Sequence, residues 1–189
     1  MSNYLIHTDL HLGHKAVFGF EPERNSFEDI IKDVKHQTHA KDIIINLGDI
    51  GFQDSDYWMK EYREACKGKI ILVKGNHDRN RSYTYFYKHR FDFVCERFSL
   101  NIYGYHILFS HSPVEVKDGA VCVCGHLHKF NNNIEQLNQL YPFLGMEYKV
   151  FDGFVLFRNY ILITTDNNCK LQNLKNIIDK HRDTWYNTH

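Results

Sequence analysis

An α/β fold that carries its chemistry at strand ends is what this sequence predicts, on three observations. Short apolar runs, Ile43-Ile44-Ile45-Asn46-Leu47 and Ile70-Ile71-Leu72-Val73, read as strands buried on both faces. Segments between them space their apolar residues as amphipathic helices do. The runs then stop at a glycine followed by carboxylate, imidazole or amide side chains, which is where an open α/β sheet places its functional groups.

The whole chain narrows the reading. At 189 residues, 43% hydrophobic and 15% aromatic, residues 1–189 suffice for one sizeable core and are expected to form a single domain. Lys+Arg and Asp+Glu are both 23, so no net field steers the molecule to nucleic acid or an anionic membrane. The stretch from Met1 to His7 lacks a basic start and a long apolar core, and no window resembles a membrane span, so a soluble cytoplasmic protein without a membrane partner is expected. Cys66, Cys95, Cys122, Cys124 and Cys169 are odd in number and form no CxxC pair, which suits reduced thiols. Histidine is the outlier at 13, and it directs attention to metal.

Taken in order, Tyr4 to Thr8 is a short strand that runs into Asp9-Leu10-His11-Leu12-Gly13-His14. On an extended backbone Asp9 and His11 point to one side and can reach one ion; read alone, the pair is equally a polar loop. His14 either meets a substrate phosphate or hydrogen-bonds its own loop. Ser26 to His39 is an amphipathic helix with Phe27, Ile30, Ile31 and Val34 on one face and a capping pair, Ser26 and Asp29. The second strand stops at Gly48-Asp49, in isolation more often a turn than a site. Ser55 to Cys66 is the next helix, closed at Gly68. The third strand stops at Lys74-Gly75-Asn76-His77-Asp78, where Gly75 permits a sharp exit.

Arg79 and Arg81 then precede an aromatic block, Tyr83 to Phe93. These arginines either bind phosphate or stay solvated beside a core helix, and Arg79 is kept as a candidate because it adjoins the polar exit. Leu100 to Phe109 is a hairpin turning near Tyr103-Gly104, followed by Ser110-His111. Ala120 to Cys124 is a strand that stops at Gly125-His126-Leu127-His128, where His126 and His128 again project to one side of an extended backbone. A Cys2His2 zinc site with Cys122 and Cys124 is disfavoured, because four ligands on one short extended run cannot surround an ion, and these are read as core thiols. A polar excursion and a hairpin around Asp152-Gly153 fill about 129–160. Ile161 to Thr165 is a strand, and a helix at about 170–183 closes the chain.

Together, Asp9-x-His11, Gly48-Asp49, Gly75-Asn76-His77-Asp78, His111 and Gly125-His126-x-His128 resemble, in order, the motif set of the calcineurin-like metallophosphoesterases, over about residues 4 to 128. His14 and the short length make the chain more similar to compact phage and bacterial members. The resemblance implies a four-layer α/β/β/α sandwich of two mixed β-sheets flanked by helices, with the motifs on loops at one edge. It implies two divalent metal ions, Mn²⁺ first with Fe, Co, Ni or Zn as alternatives: Asp9, His11 and His128 on one, Asn76, His111 and His126 on the other, and Asp49 bridging. Such donors suit borderline ions, and a bridging carboxylate can hold two of them roughly 3.5–4 Å apart, where a shared water becomes the attacking hydroxide. His77 would protonate the leaving oxygen, and Asp78 would orient its ring. His14 and Arg79 would touch substrate.

The expected activity is therefore metal-dependent hydrolysis of a phosphoester, with phosphodiesters ahead of monoesters. A small phosphoester or nucleotide is the expected substrate, and a nucleic-acid end is less favoured because the net charge is neutral. The alternatives are a phosphomonoesterase or protein phosphatase, or a silent metal-containing binding protein.

Overall fold

The computed structural model describes residues 3–52, 56–117, 119–128, 133–165 and 169–186. The first half builds one sheet from β1 (Tyr4–His7), β2 (Ile43–Asn46), β3 (Lys69–Val73) and β4 (Phe93–Cys95), all parallel, with β11 (Gln172–Asn173) antiparallel on the outer edge of β1. Helices α1 (Val17–Phe20), α2 (Phe27–Gln37), α3 (Asp56–Ala65) and α4 (Tyr83–Lys88) occupy the crossovers. The second half builds a six-stranded mixed sheet, in the order β5 (Arg97–Ile102), β6 (Tyr105–Ser110), β7 (Ala120–Cys124), β10 (Tyr160–Ile163), β9 (Phe154–Leu156) and β8 (Lys149–Phe151). Helix α5 (Ile134–Leu140) lies beyond it, and α6 (Leu174–Trp185) follows β11.

Strand alternation generates the layers, because successive side chains point to opposite faces. Leu5, Ile44, Ile70 and Leu72 face α2 and α3 and pack with Phe27, Ile30, Val34, Met59 and Tyr62. Their neighbours Ile6, Ile45 and Val73 face the second sheet and meet Ile107, Phe109, Val121, Val123 and Ile161. Cys122, Cys124 and Leu162 point outward again, against Leu137 and Leu144. The result is two mixed β-sheets packed face to face with helices outside. Cys122 and Cys124 are fully buried in that outermost layer, the core position expected of them.

Local chemistry sets the boundaries. Ser26 caps α2 by accepting the Asp29 N–H at 3.1 Å, and the β5–β6 hairpin turns on Tyr103 and Gly104, both at positive φ. The aromatic block divides: α4 ends at Lys88, Arg90 turns at φ 63°, and Phe93 opens a strand. The last helix starts at Leu174, later than expected, because Gln172 and Asn173 pair with Ile6 and Leu5 and Asn173 caps the helix by accepting the Asn176 N–H. Ser55, residues 129–132 and the final tail from 187 lie outside the described residues. No helix among the described residues is long and apolar enough to cross a membrane.

Candidate metal centre

Strands β1, β2, β3, β6 and β7 all end at one edge, and their exits converge. The loops after β1 and β2 continue as a paired ribbon: Asp9 N–H donates to Gly48 O at 2.9 Å, His11 N–H to Asp49 O at 2.8 Å and Leu12 N–H to Ile50 O at 3.0 Å. Gly125 N–H to His111 O, at 2.9 Å, joins the exits of β7 and β6 in the same way. Two glycines permit the close approach of these loops. A Cβ on Gly75 would stand 2.0 Å from Asp49 Oδ1 and 2.6 Å from its backbone N, and one on Gly125 would stand 2.0 Å from Thr8 Oγ1.

The expectation that Asp9 with His11, and His126 with His128, converge because their backbone is extended is corrected. Asp9 (φ 53°), His11 (45°), Asp49 (51°), His126 (73°) and His128 (47°) are all left-handed. The side chains still meet, but because each loop turns tightly at the strand exit, and Asp and His tolerate that region better than most residues.

Asp49 is the hub. Its Oδ1 accepts the His77 N–H at 2.9 Å, and its Oδ2 lies 3.4 Å from His111 Nε2, 3.9 Å from His11 Nε2 and 4.0 Å from His77 Nε2. Asp9 Oδ2 accepts from Thr8 Oγ1 at 2.6 Å and from His126 N–H at 2.9 Å. Its buried Oδ1, 3.4 Å from His128 Nε2, has no hydrogen-bond partner among the described residues. Ring nitrogens crowd together: His11 Nε2 stands 3.1 Å from His128 Nε2, and His126 Nδ1 stands 3.0 Å from His111 Nε2, which is also 2.9 Å from Asn76 Oδ1.

The outer nitrogens decide which way the lone pairs face. His111 Nδ1 donates to Leu47 O at 2.8 Å, and His128 Nδ1 donates to Glu21 Oε1 at 2.5 Å, since a carbonyl and a carboxylate can only accept. Both neutral rings therefore aim Nε2 lone pairs inward, at carboxylate oxygens and at other ring nitrogens, His111 at His126 and His128 at His11. Without a cation that arrangement must take up protons. Burial opposes the His111 imidazolium, but the Asp49 hydrogen bond and the charges of Asp9 and Asp49 outweigh it and raise its pKa to about 9. The same contest, won by Glu21 and Asp9, raises His128. Burial likewise resists ionisation of Asp49, yet His111 holds it down at about 2. Burial lowers His11 to about 4 and lowers His126 as well. Inward lone pairs, buried carboxylates and an orphaned oxygen fit divalent cations well. Three groups bring one donor atom from each residue within 4.8 Å of the others: Asp9, His11 and His128; His11, Asp49 and His77; Asp49, His111 and His126.

Asp78 departs from expectation. Its buried carboxylate turns from the neighbouring ring, and Oδ2 accepts the N–H of Asp49 at 2.7 Å and of Gly75 at 2.9 Å. Among the described residues its Oδ1 has no partner, so neither oxygen orients His77. Burial, outweighing those two donors, raises its pKa to about 7. Asp78 ties the β2 and β3 exits together instead. His14 sits at the rim with its ring stacked on Phe52, Arg79 is exposed, and Arg81 is committed to the carbonyls of Gly51, His77 and Phe52.

Sequence reasoning missed Glu21 and Arg24. Glu21 fixes His128 and pairs through Oε2 with Arg24 Nη1 at 2.5 Å, while Arg24 Nη2 donates to the carbonyls of Asp9 and Leu10 and so braces the strained loop. Neither lies at a strand exit, and Glu21 is 107 residues from its histidine.

The profile described as the calcineurin-like phosphoesterase superfamily domain matches residues 3–142. The uncharacterized protein MJ1445 of Methanocaldococcus jannaschii is 27% identical over 89% of either chain. Among solved structures, the protein of unknown function AQ665 from Aquifex aeolicus superposes with a TM-score of 0.70 at 19% identity, covering 95% of this chain and 99% of that one, which is a likeness of fold. The nuclease MPE of Pseudomonas putida aligns more loosely, with a TM-score of 0.49 at 22% identity over 66% of this chain and 61% of its own. With the profile matched across most of its length, the chain belongs to the calcineurin-like phosphoesterase superfamily, and with it to the metal-dependent phosphoester hydrolases.

Proposed function

We propose that this protein hydrolyses a phosphodiester in preference to a monoester at a centre for two divalent ions. Asp9, His11 and His128 would hold one ion, Asn76, His111 and His126 the other, and Asp49 both. When bound, such ions supply Lewis-acid neutralisation of phosphoryl charge and a nucleophile at neutral pH, with Mn²⁺ the first candidate and Fe, Co, Ni or Zn the alternatives. The observation that carries this reading is Asp49 Oδ2, which faces imidazoles delivered by three separate strand exits.

The residues divide the remaining work. Glu21 and Leu47 O keep His128 and His111 in the tautomer whose Nε2 faces inward. His77, with 36% of its side chain exposed, stands at the mouth and can deliver a proton from Nε2 to a departing oxygen. The lean to diesters rests on the nearby cations: Arg24 and Arg81 donate to backbone carbonyls, and the exposed Arg79 would supply a single charge, less than a monoester dianion carries. Free cysteines throughout support a reducing, cytoplasmic setting.

The test is a matrix of added metals against mono-, di- and cyclic phosphoesters, with metal content measured on each preparation. Asp49→Asn should lose bound metal and turnover together. His77→Ala should keep its metal and lose about 10²- to 10⁴-fold in turnover. A preparation carrying two ions yet inert toward every ester would overturn the enzyme reading in favour of a metal-containing binding protein.

A further inference from the structure

A ladder of flat rings leads from the candidate centre to the surface. His77 meets His11 edge-on at 5.2 Å between centroids and meets Phe52 at 5.3 Å. Phe52 stacks on His14 at 4.0 Å with 18° between planes, and His14 meets Phe20 at 6.5 Å. Phe20 is 67% exposed, among the most exposed large apolar side chains of the molecule.

These rings are held in place. Phe52 N–H donates to Leu12 O at 3.1 Å, and Arg81 Nη2 donates to Phe52 O at 2.8 Å. Phe20 lies between the buried Val17 and the buried Glu21, whose N–H donates to Val17 O at 2.9 Å and whose carboxylate is bound to His128. A solvent-facing phenyl on so fixed a backbone, one step from a stacked His–Phe pair that adjoins the centre, has the makings of a platform for another flat ring.

We infer that Phe20, His14 and Phe52 form a stacking subsite for the base of a nucleoside phosphodiester bound with its phosphate at the Asp49 centre. Stacking tolerates any base and needs no net positive charge, in keeping with a neutral protein whose nearby Arg24 and Arg81 are engaged with backbone carbonyls. The inference rests on the phosphoesterase reading and names the substrate class of that same site.

Two esters with one leaving group test it: thymidine 5′-(p-nitrophenyl phosphate) and methyl p-nitrophenyl phosphate, with the metal-loaded protein. The nucleoside ester should have the higher kcat/KM by on the order of 10-fold, the scale of one base–aromatic stack. Phe20→Ala should bring the ratio close to one, and Phe20→Trp should preserve it. Methyl ester turnover with no preference for the nucleoside ester, or a preference indifferent to Phe20→Ala, would overturn the stacking subsite and leave the phosphoesterase intact. If neither ester turns over with any metal, the phosphoesterase reading fails, and binding decides the subsite. Thymidine 5′-phosphate should then bind more tightly than ribose 5-phosphate in calorimetry, by an amount that Phe20→Ala removes, and equal binding of the two would overturn it.

Discussion

Asp78 offers a sharp test, because its neighbour in sequence and its partners in space assign it different duties. One oxygen accepts two buried backbone N–H groups, those of Asp49 at 2.7 Å and Gly75 at 2.9 Å, and the residue has no exposed surface. Alanine leaves both donors unsatisfied. At about 1–3 kcal/mol for each orphaned group, the loss should be roughly 2–6 kcal/mol, a large part of the ~5–15 kcal/mol available to a domain. Asparagine can set its carbonyl oxygen where Oδ2 stands and keep both bonds. Since burial raises the carboxyl to about 7, the neutral amide is a close electrostatic substitute, and the expected loss is about 1 kcal/mol or less. Urea unfolding in chelator, which removes any contribution from bound metal, should show a lower midpoint for Asp78→Ala at an unchanged slope and a near-native midpoint for Asp78→Asn. An alanine variant within about 0.5 kcal/mol of the parent, or an asparagine variant as damaged as alanine, would refute the tie between the β2 and β3 exits. A shifted pH–rate profile without lost stability would restore the orienting role.

Two further outcomes follow from the same geometry. Glu21→Ala removes the acceptor that fixes the His128 tautomer, so Mn²⁺ affinity should fall about 10- to 100-fold in calorimetry, and the His128 ring nitrogens should change their NMR signature; unchanged affinity would deny Glu21 its place in the centre. His181, fully buried with its Nε2 donating to Phe157 O at 2.9 Å, has its pKa lowered by burial. Its neutral form is the native one, so stability should be fully present above the unfolded value near 6.5 and decline as pH falls below it; unfolding midpoints for His181→Gln should show a shallower decline, and an identical pH dependence would show that His181 does not contribute.

Much of this was legible because two signals were local. A run such as Ile43 to Leu47 is apolar at every step only if both faces are covered, and the structure covers Ile44 with helices and Ile45 with the second sheet. A glycine after such a run announces an exit, and the aspartates and histidines beyond it carried the site. What escaped depends on distance or direction. Arg24 braces Asp9 from 15 positions away out of a loop with no period to mark it, and Glu21 reaches Thr165 across 144, a separation that no window spans. Asp78 misled through adjacency: in the turn after Gly75, consecutive side chains diverge, so His77 faces the mouth while Asp78 faces the interior. The two-residue strand β11 is too short to show a period, and it displaced the expected start of the last helix.

The left-handed backbone of Asp9, His11, Asp49, His126 and His128 has a thermodynamic consequence. At on the order of 1 kcal/mol each, five such residues hold back an amount comparable to the whole net stability of a marginal domain. Glycine at any of them would relax the chain and remove a donor in the same stroke. Laboratory evolution for heat resistance alone, with no demand for turnover, should therefore erode these five positions early and give hardier proteins with an empty centre.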